Sequence, residues 1–200
     1  MQPVVTYVAL LRGVNVGGKN PVAMPALADC LAAEGLRDVL TYLQTGNAVF
    51  RARRQPEGDL ALHIERALAA RLDVRTRIVV RSLPQMKRVL ATAPAEWRRD
   101  RTLRRNIAFL IHGVTAAEAL KQVELKEGVD AAAAGDGVLY LATVMQAVTK
   151  SRLRNLISKP IYGDLTIRSF TTCERLLGMM REISGSREAS GIEQLPMCPE

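Results

Sequence analysis

A glycine-rich segment that directly follows an apolar run constrains this chain most. The run Val4 to Leu11 is almost continuously apolar, and the next nine residues, Arg12 to Asn20, include three glycines. An apolar run of this length predicts a strand buried on both faces, and therefore central in its sheet. Glycines at the end of a strand expose backbone N–H groups that can hold an anion. We therefore predict a loop that binds a polar or anionic ligand, with Arg12 and Lys19 supplying positive charge.

The same loop is one residue away from the phosphate-binding loop of nucleoside-triphosphate sites. Gly13 to Asn20 fits G-x-x-x-x-G-K, but Asn20 stands where a Ser or Thr hydroxyl would coordinate Mg²⁺. Pro25 would lie inside the helix that such a loop opens, where proline removes a donor and clashes with the preceding turn. The sequence thus argues against an ATPase or GTPase. Two interpretations remain open: a ligand loop of a different geometry, or a glycine-rich connection that only turns the chain.

The elements of the first half follow from apolar periodicity and turn residues. Apolar positions from Met24 predict a helix that ends at Gly35, and Thr45-Gly46-Asn47 predicts a hairpin turn. Asp59 is predicted to cap a second helix, and a fourth strand is predicted over Arg75 to Arg81. The resulting order, β-α-β-β-α-β, is that of a ferredoxin-like unit.

The second half repeats this order. Its predicted elements are a connecting helix from Ser82 to about Ala93, a basic loop over Pro94 to Arg105, a strand over Asn106 to His112, a helix from Thr115 to Val123, a hairpin around Gly135-Asp136-Gly137, a helix over Ser151 to Ser158, a strand over Leu165 to Arg168 and a last helix capped by Thr171 and Glu174. We predict an α+β protein of two ferredoxin-like (α-β plait) domains, each with an extra helix, at 1–82 and 83–183, and a loose tail at 184–200.

Two blocks of the first half carry a family resemblance. Leu11 to Asn20 and Thr41 to Phe50, at their observed separation, resemble the bacterial family called domain of unknown function 1697 (DUF1697). Lys150 to Leu153 and Thr166 to Thr172 echo later family patterns, where Arg168-Ser169-Phe170 replaces the usual Arg-Asn-Trp. The resemblance implies two ferredoxin-like domains and no established activity.

These two blocks together define the candidate ligand site. Its members are Arg12, Asn15, Gly17, Gly18, Lys19, Asn20, Gln44, Gly46 and Asn47. We expect the ends of the first and second strands to lie at opposite ends of the sheet, so the grouping rests on the resemblance and not on geometry. The alternative is that Gly46 and Asn47 only make the hairpin turn.

Positive charge is concentrated in one segment. The chain carries a formal charge of +8, and residues 51–105 hold fifteen basic and six acidic groups. By strand alternation their arginines could form a basic sheet surface that binds nucleic acid. Only 4% of residues are aromatic, so the stacking platform of RNA-recognition domains is missing and nonspecific attraction is favoured. A purely compositional origin of the arginines is the alternative. The candidate contacts are Arg51, Arg53, Arg75, Arg77 and Arg81.

The sequence gives little support for a metal site, a membrane segment or a catalytic site. Three widely separated cysteines make neither a disulfide framework nor zinc spacing, which predicts a reduced, cytoplasmic protein without a metal site. No stretch approaches the length needed to span a bilayer, so no membrane partner is predicted. His63 and His112 lack a Ser or Cys partner at recognisable spacing, so catalytic residues, cofactors and oligomeric state stay unassigned. A protein-interaction module without a small ligand is the third functional alternative.

Overall fold

The computed structural model describes residues 3–17, 20–111 and 113–185. Gly18, Lys19, His112 and most of the predicted tail therefore lie outside the described residues. The strands are β1 (Val4–Leu11), β2 (Arg37–Thr41), β3 (Asn47–Arg53), β4 (Ile78–Ser82), β5 (Leu103–Leu110), β6 (Asp130–Gly135), β7 (Val138–Val144) and β8 (Leu165–Ser169). The helices are α1 (Met24–Ala33), α2 (Glu57–Leu72), α3 (Leu83–Ala91), α4 (Ala95–Arg99), α5 (Ala116–Lys121) and α6 (Phe170–Gly185), with 3-10 helices at Met145–Lys150, Leu153–Ser158 and Pro160–Asp164.

The strands form two four-stranded antiparallel sheets with flanking helices. The first has the order β2-β3-β1-β4, and the second has the equivalent order β6-β7-β5-β8. This mixed α+β architecture is consistent with two ferredoxin-like units. The prediction that Val4–Leu11 is a central strand is confirmed, because β1 pairs with both β3 and β4.

The sheets and helices stack in five layers. One face of the first sheet packs on α1 and α2, and the outer face of the second sheet packs on α5 and the 3-10 segments. The inner faces of both sheets share one apolar layer with α3 and α6, which includes Val8, Val49, Ile107 and Phe109. Burial on both faces explains why β1 is apolar along almost its whole length. Within the described ranges, no helix combines the length and apolar character needed to cross a bilayer.

The predicted fourth strand begins too early. β4 starts at Ile78, and Arg75 and Arg77 lie in the segment before it. That segment is held by the loop after β1, because the Arg12 N–H donates to the Arg77 carbonyl at 3.0 Å and the Thr76 hydroxyl donates to the Arg12 carbonyl at 2.6 Å. The alternating arginines thus imitate a strand pattern in an exposed connection.

The predicted basic sheet surface is not formed. The face of the first sheet that carries Arg81 is covered by α3 and α6, and Arg81 donates to the Leu110 and Gly137 carbonyls of the second half at 3.1 Å each. Arg51 pairs with Asp38 at 3.2 Å. The strand register places Arg51, Arg53 and Arg81 on one face of the sheet, but α3, α6 and the second half cover that face at Arg81, so the three arginines do not form one exposed surface.

Several boundaries in the second half also differ from prediction. β5 begins at Leu103, inside the predicted basic loop, and Ser151 to Ser158 contains a 3-10 helix instead of an α-helix. α6 begins one residue before Thr171 because Ser169 is its cap: the Thr172 N–H donates to the Ser169 hydroxyl at 3.1 Å. The predicted cap, Thr171 with Glu174, has the same spacing two residues further along the chain.

Among the described glycines, we expect a substitution of Gly46 to destabilise the fold most. Its φ is +76°, and an added Cβ would lie 2.4 Å from Val14 Cγ2 and 2.8 Å from Leu11 Cβ. We expect Gly46→Ala to lower the free energy of unfolding by about 3 kcal/mol, from left-handed strain plus overpacking. Gly35 has a similar φ of +79° with open space around it, so Gly35→Ala should cost about 1 kcal/mol. Equal losses for the two variants in urea unfolding would contradict this packing.

Candidate functional site

The ends of β1 and β2 meet at one edge of the first sheet. Both strands pair antiparallel with β3, so they run parallel to each other and end on the same side. Leu10 lies opposite Asn47, and the Leu11 N–H donates to the Gly46 carbonyl at 2.9 Å. The expectation that these ends lie at opposite ends of the sheet was wrong. The geometry itself joins the two blocks of the predicted site.

Asn15 connects the glycine-rich loop to the hairpin. It adopts a left-handed conformation with φ +54°, which asparagine tolerates better than most residues. Its amide nitrogen donates to the carbonyls of Val22 and Gln44, and its amide oxygen accepts from the Val22 N–H, all at 2.8 Å. Asn15 therefore shapes the loop, and its side chain is already engaged in internal hydrogen bonds.

Arg168 crosses from the second half into the base of this loop. The side chain belongs to β8 and is only 8% exposed. Burial lowers the pKa of Arg168 to about 10, so the guanidinium stays protonated at neutral pH. Its acceptors are Asn47 Oδ1 at 2.5 Å, Leu11 O at 2.7 Å, Thr166 Oγ1 at 2.8 Å, Ile167 O at 2.9 Å, and Thr45 O and Gly46 O at 3.1 Å. We call this set of contacts the Arg168 clamp.

Asn47 is part of this clamp. It is fully buried, its amide nitrogen donates to the Tyr42 carbonyl at 2.7 Å, and its amide oxygen accepts from Arg168. A side chain without accessible surface does not contact a ligand, so the structure places Asn47 in a supporting role. Gln44 is exposed on the hairpin and contributes its carbonyl to Asn15.

A large cleft opens beside the loop and the clamp. Its volume is about 1160 Å³, and it is bounded by the loop after β1, α2, the segment before β4, and the edge formed by β5, β8 and Tyr162. Glu65 is the single acid among its described lining residues, and its carboxylate accepts from the Ile78 N–H at 2.8 Å. Six arginines line it: Arg12, Arg66, Arg75, Arg77, Arg104 and Arg168.

Most of these arginines lack a strong partner. The side chains of Arg66, Arg75 and Arg104 are exposed and form no hydrogen bond or ion pair with any described residue. Arg77 lies 3.9 Å from Asp164, at the limit of an ion pair. Like charges that outnumber their counter-charges repel one another, so a bound anion would lower the electrostatic energy of the cleft.

Arg12 is oriented by the second half. Its Nε donates to the Tyr162 carbonyl at 3.1 Å, and its guanidinium lies 5.2 Å from the centre of the Tyr162 ring. This places Arg12 in the cleft wall, together with Asn20 from the far end of the loop. Of the predicted site residues that the structure describes, these two line the cleft, whereas Asn15, Gln44, Gly46 and Asn47 do not. Gly17 belongs to the exposed part of the loop, with φ +58°.

The cleft also has apolar walls. Val16, Leu43 and Leu62 are each about half exposed, at 56%, 49% and 50%. Exposed large apolar side chains that line a concave site are typical of ligand-binding surfaces. The cleft can therefore contact both an anionic group and an apolar or aromatic group.

The second half contains a smaller cleft at the equivalent position. Arg81 of β4 donates to the Leu110 and Gly137 carbonyls, just as Arg168 of β8 donates to those of Leu11 and Gly46. The cleft beside Arg81 has a volume of only about 200 Å³, and Arg81 is the single arginine among its described lining residues. The loop after β5 spans residues 111–115, whereas the loop after β1 spans residues 12–23. The longer loop thus accompanies the larger, arginine-lined cleft.

Sequence reasoning missed Arg66, Arg104 and Arg168 as members of one site. One signal was available: the fourth strand of each half ends in Arg-Ser, as Arg81-Ser82 and as Arg168-Ser169. A charged residue repeated at the end of an otherwise apolar strand indicates a buried, partnered side chain.

Asn15 should be the main local support of the loop. We expect Asn15→Ala to lower the free energy of unfolding by about 2–3 kcal/mol, because it removes the hydrogen-bond partner of the buried Val22 backbone and places alanine at a positive φ. Asn155, which bonds Glu124 on the surface at 2.9 Å, is the matched control, and Asn155→Ala should cost under about 0.5 kcal/mol. Similar losses for both variants in urea unfolding would show that the loop does not depend on Asn15.

Comparison with known proteins agrees with this architecture. The chain is similar to a solved structure, that of the conserved bacterial protein SP0830 from Streptococcus pneumoniae, with a TM-score of 0.77 and 26% sequence identity over 89% of this chain and 99% of that chain. No functionally curated protein matches the chain. The sequence profile of the family described as "Protein of unknown function (DUF1697)" matches residues 4–140. Since this match covers more than half of the sequence, the chain belongs to the DUF1697 family.

Proposed function

We propose that this protein, built from two ferredoxin-like units, binds a small phosphate-bearing ligand in the arginine-lined cleft. The observation that carries the proposal is the composition of the cleft, with six arginines against one acid whose carboxylate is already engaged. Guanidinium groups match the geometry of phosphate and carboxylate oxygens, and they bind both through paired hydrogen bonds.

The apolar walls of the cleft suit the uncharged part of such a ligand. The volume of about 1160 Å³ is slightly above the usual range for small-molecule sites, roughly 300–1,000 Å³. Val16, Leu43 and Leu62 would contact an apolar or aromatic part of the ligand, and the exposed glycine-rich loop would approach its anionic part. A nucleotide has both parts, which makes it the first ligand class to test.

Binding is better supported than catalysis. The described lining residues include no His, Cys, Asp or Lys. Burial raises the pKa of Cys173 to about 12, so this thiol is protonated and a poor nucleophile at neutral pH, and His63 pairs with Glu34 away from the cleft. Cys30 and Cys173 are both free thiols, which supports a reducing, cytoplasmic location.

A short single-stranded nucleic acid is the second candidate ligand. The cleft runs beside β8, whose residues Leu165 to Ser169 all line it, a length of about 13 Å along an extended strand. A span of this length would fit a short single-stranded segment. The predicted basic segment 51–105 supplies Arg66, Arg75, Arg77 and Arg104 to the same cleft.

Thermal unfolding with pyrophosphate, ATP, another nucleotide and a short RNA tests this proposal. A small ligand at a hundredfold its Kd should stabilise by about 2.7 kcal/mol and raise Tm by roughly five to ten degrees. Arg75→Glu combined with Arg77→Glu should abolish the shift. Arg53→Glu combined with Arg54→Glu makes the same change of charge at exposed positions outside the cleft, and it should leave the shift intact.

Salt separates the two candidate ligands. Contacts with several phosphates weaken steeply between 50 and 200 mM salt, by about a thousandfold for six contacts, whereas a small ligand with few contacts weakens far less. A shift seen only with RNA and lost at the higher salt would favour the nucleic acid. No shift with any of the four probes would contradict both and favour a protein-interaction role.

A further inference from the structure

We infer that Arg168 is a positioning residue for the cleft, so that the second half of the chain controls the affinity of a loop that belongs to the first. This inference rests on the proposed function for its effect on binding, and on geometry alone for its effect on the loop.

The clamp joins the two segments that form one wall of the cleft. A single nitrogen of Arg168, Nη2, donates to the carbonyls of Leu11, Thr45 and Gly46 at 2.7, 3.1 and 3.1 Å. Leu11 is the last residue before the loop, and Thr45 lines the cleft from the hairpin turn. Because these carbonyls come from different segments, Arg168 sets the position of one relative to the other.

The Arg168 clamp also contains no negative charge to balance the guanidinium. All six of its acceptors are neutral oxygens, and among the described residues no nearby carboxylate offsets the desolvation that lowers the pKa of Arg168. Arg81 differs, because Glu57 and Asp136 partly offset the effect of burial on its pKa. Arg168 reaches the cleft surface, so an anion bound there would supply the missing counter-charge.

Ligand binding and clamp formation should therefore stabilise each other. A ligand that gains affinity from the clamped arrangement must strengthen the clamp by the same factor, since coupling between two equilibria is reciprocal. A residue that served only to hold the two halves together would have no such link. Arg81 provides that comparison within the same chain, because it joins the halves at the small cleft.

The experiment compares Arg168→Lys with Arg81→Lys in the full chain. Lysine keeps the charge but loses the planar fork that reaches several carbonyls at once. We would measure the Kd of ATP and of pyrophosphate by calorimetry, and amide hydrogen exchange in peptides covering 8–17 and 42–48. Arg168→Lys should weaken binding at least tenfold, or about 1.4 kcal/mol, and accelerate exchange in both peptides. Arg81→Lys should change Kd by less than about twofold, the size of effect expected for a change distant from the ligand.

Each outcome decides the inference. Unchanged binding and exchange in Arg168→Lys would overturn it, and so would equal losses of affinity in both variants, which would indicate a general loss of stability. If Arg168→Lys does not fold, Thr166→Val replaces it: this change removes an acceptor of Arg168 and a donor to Leu11 while keeping the side-chain volume, and the same two readouts apply. If the wild type binds neither anion, the proposed function fails, and exchange alone decides whether Arg168 positions the loop.

Discussion

A buried guanidinium is the interaction on which the rest of the site depends. Arg168 reaches from β8 into the end of β1 and the turn before β3, where it donates to three backbone carbonyls and to the amide oxygen of Asn47. Removing a charge from water is costly, and hydrogen bonds to neutral oxygens offset only part of that cost. The fold accepts this cost at a position that joins the end of β1, the hairpin and the second half.

The two halves share one strand order but differ in the cleft that each contains. Both halves have the same strand order, and in both an arginine at the end of the fourth strand binds the end of the first strand of the other half. The two resulting clefts differ in volume, about 1160 Å³ against about 200 Å³, and in their arginines. Since the scaffold is shared, the difference lies in the longer loop over residues 12–23 and in the charged residues around it. This difference between the two units supports the proposed ligand binding, because the shared fold does not require it.

Local patterns predicted the elements of this protein better than they predicted its site. Val4–Leu11 was recognisable because burial on both faces leaves an apolar run, and the Gly46 turn was recognisable because its φ restricts the residue. Arg75 and Arg77 alternate as strand residues do, and only the pairing of β4 shows that they precede it. The role of Arg168 depends on carbonyls more than 120 positions away in the chain, and no local pattern distinguishes a clamped arginine from a solvated one. The loop and hairpin could be grouped by family resemblance, whereas their contact follows from strand directions.

The most direct test of the central claim is to map a bound anion by nuclear magnetic resonance. Titration with ATP, observed through backbone amides and the Nε–H groups of arginine, would locate the ligand without any assumption about its effect on stability. The account predicts saturable changes at Arg12, Thr45 and Arg168 and little change at Arg81 and Gly137 of the small cleft. Changes confined to the small cleft, or scattered over surface arginines without saturation, would contradict it.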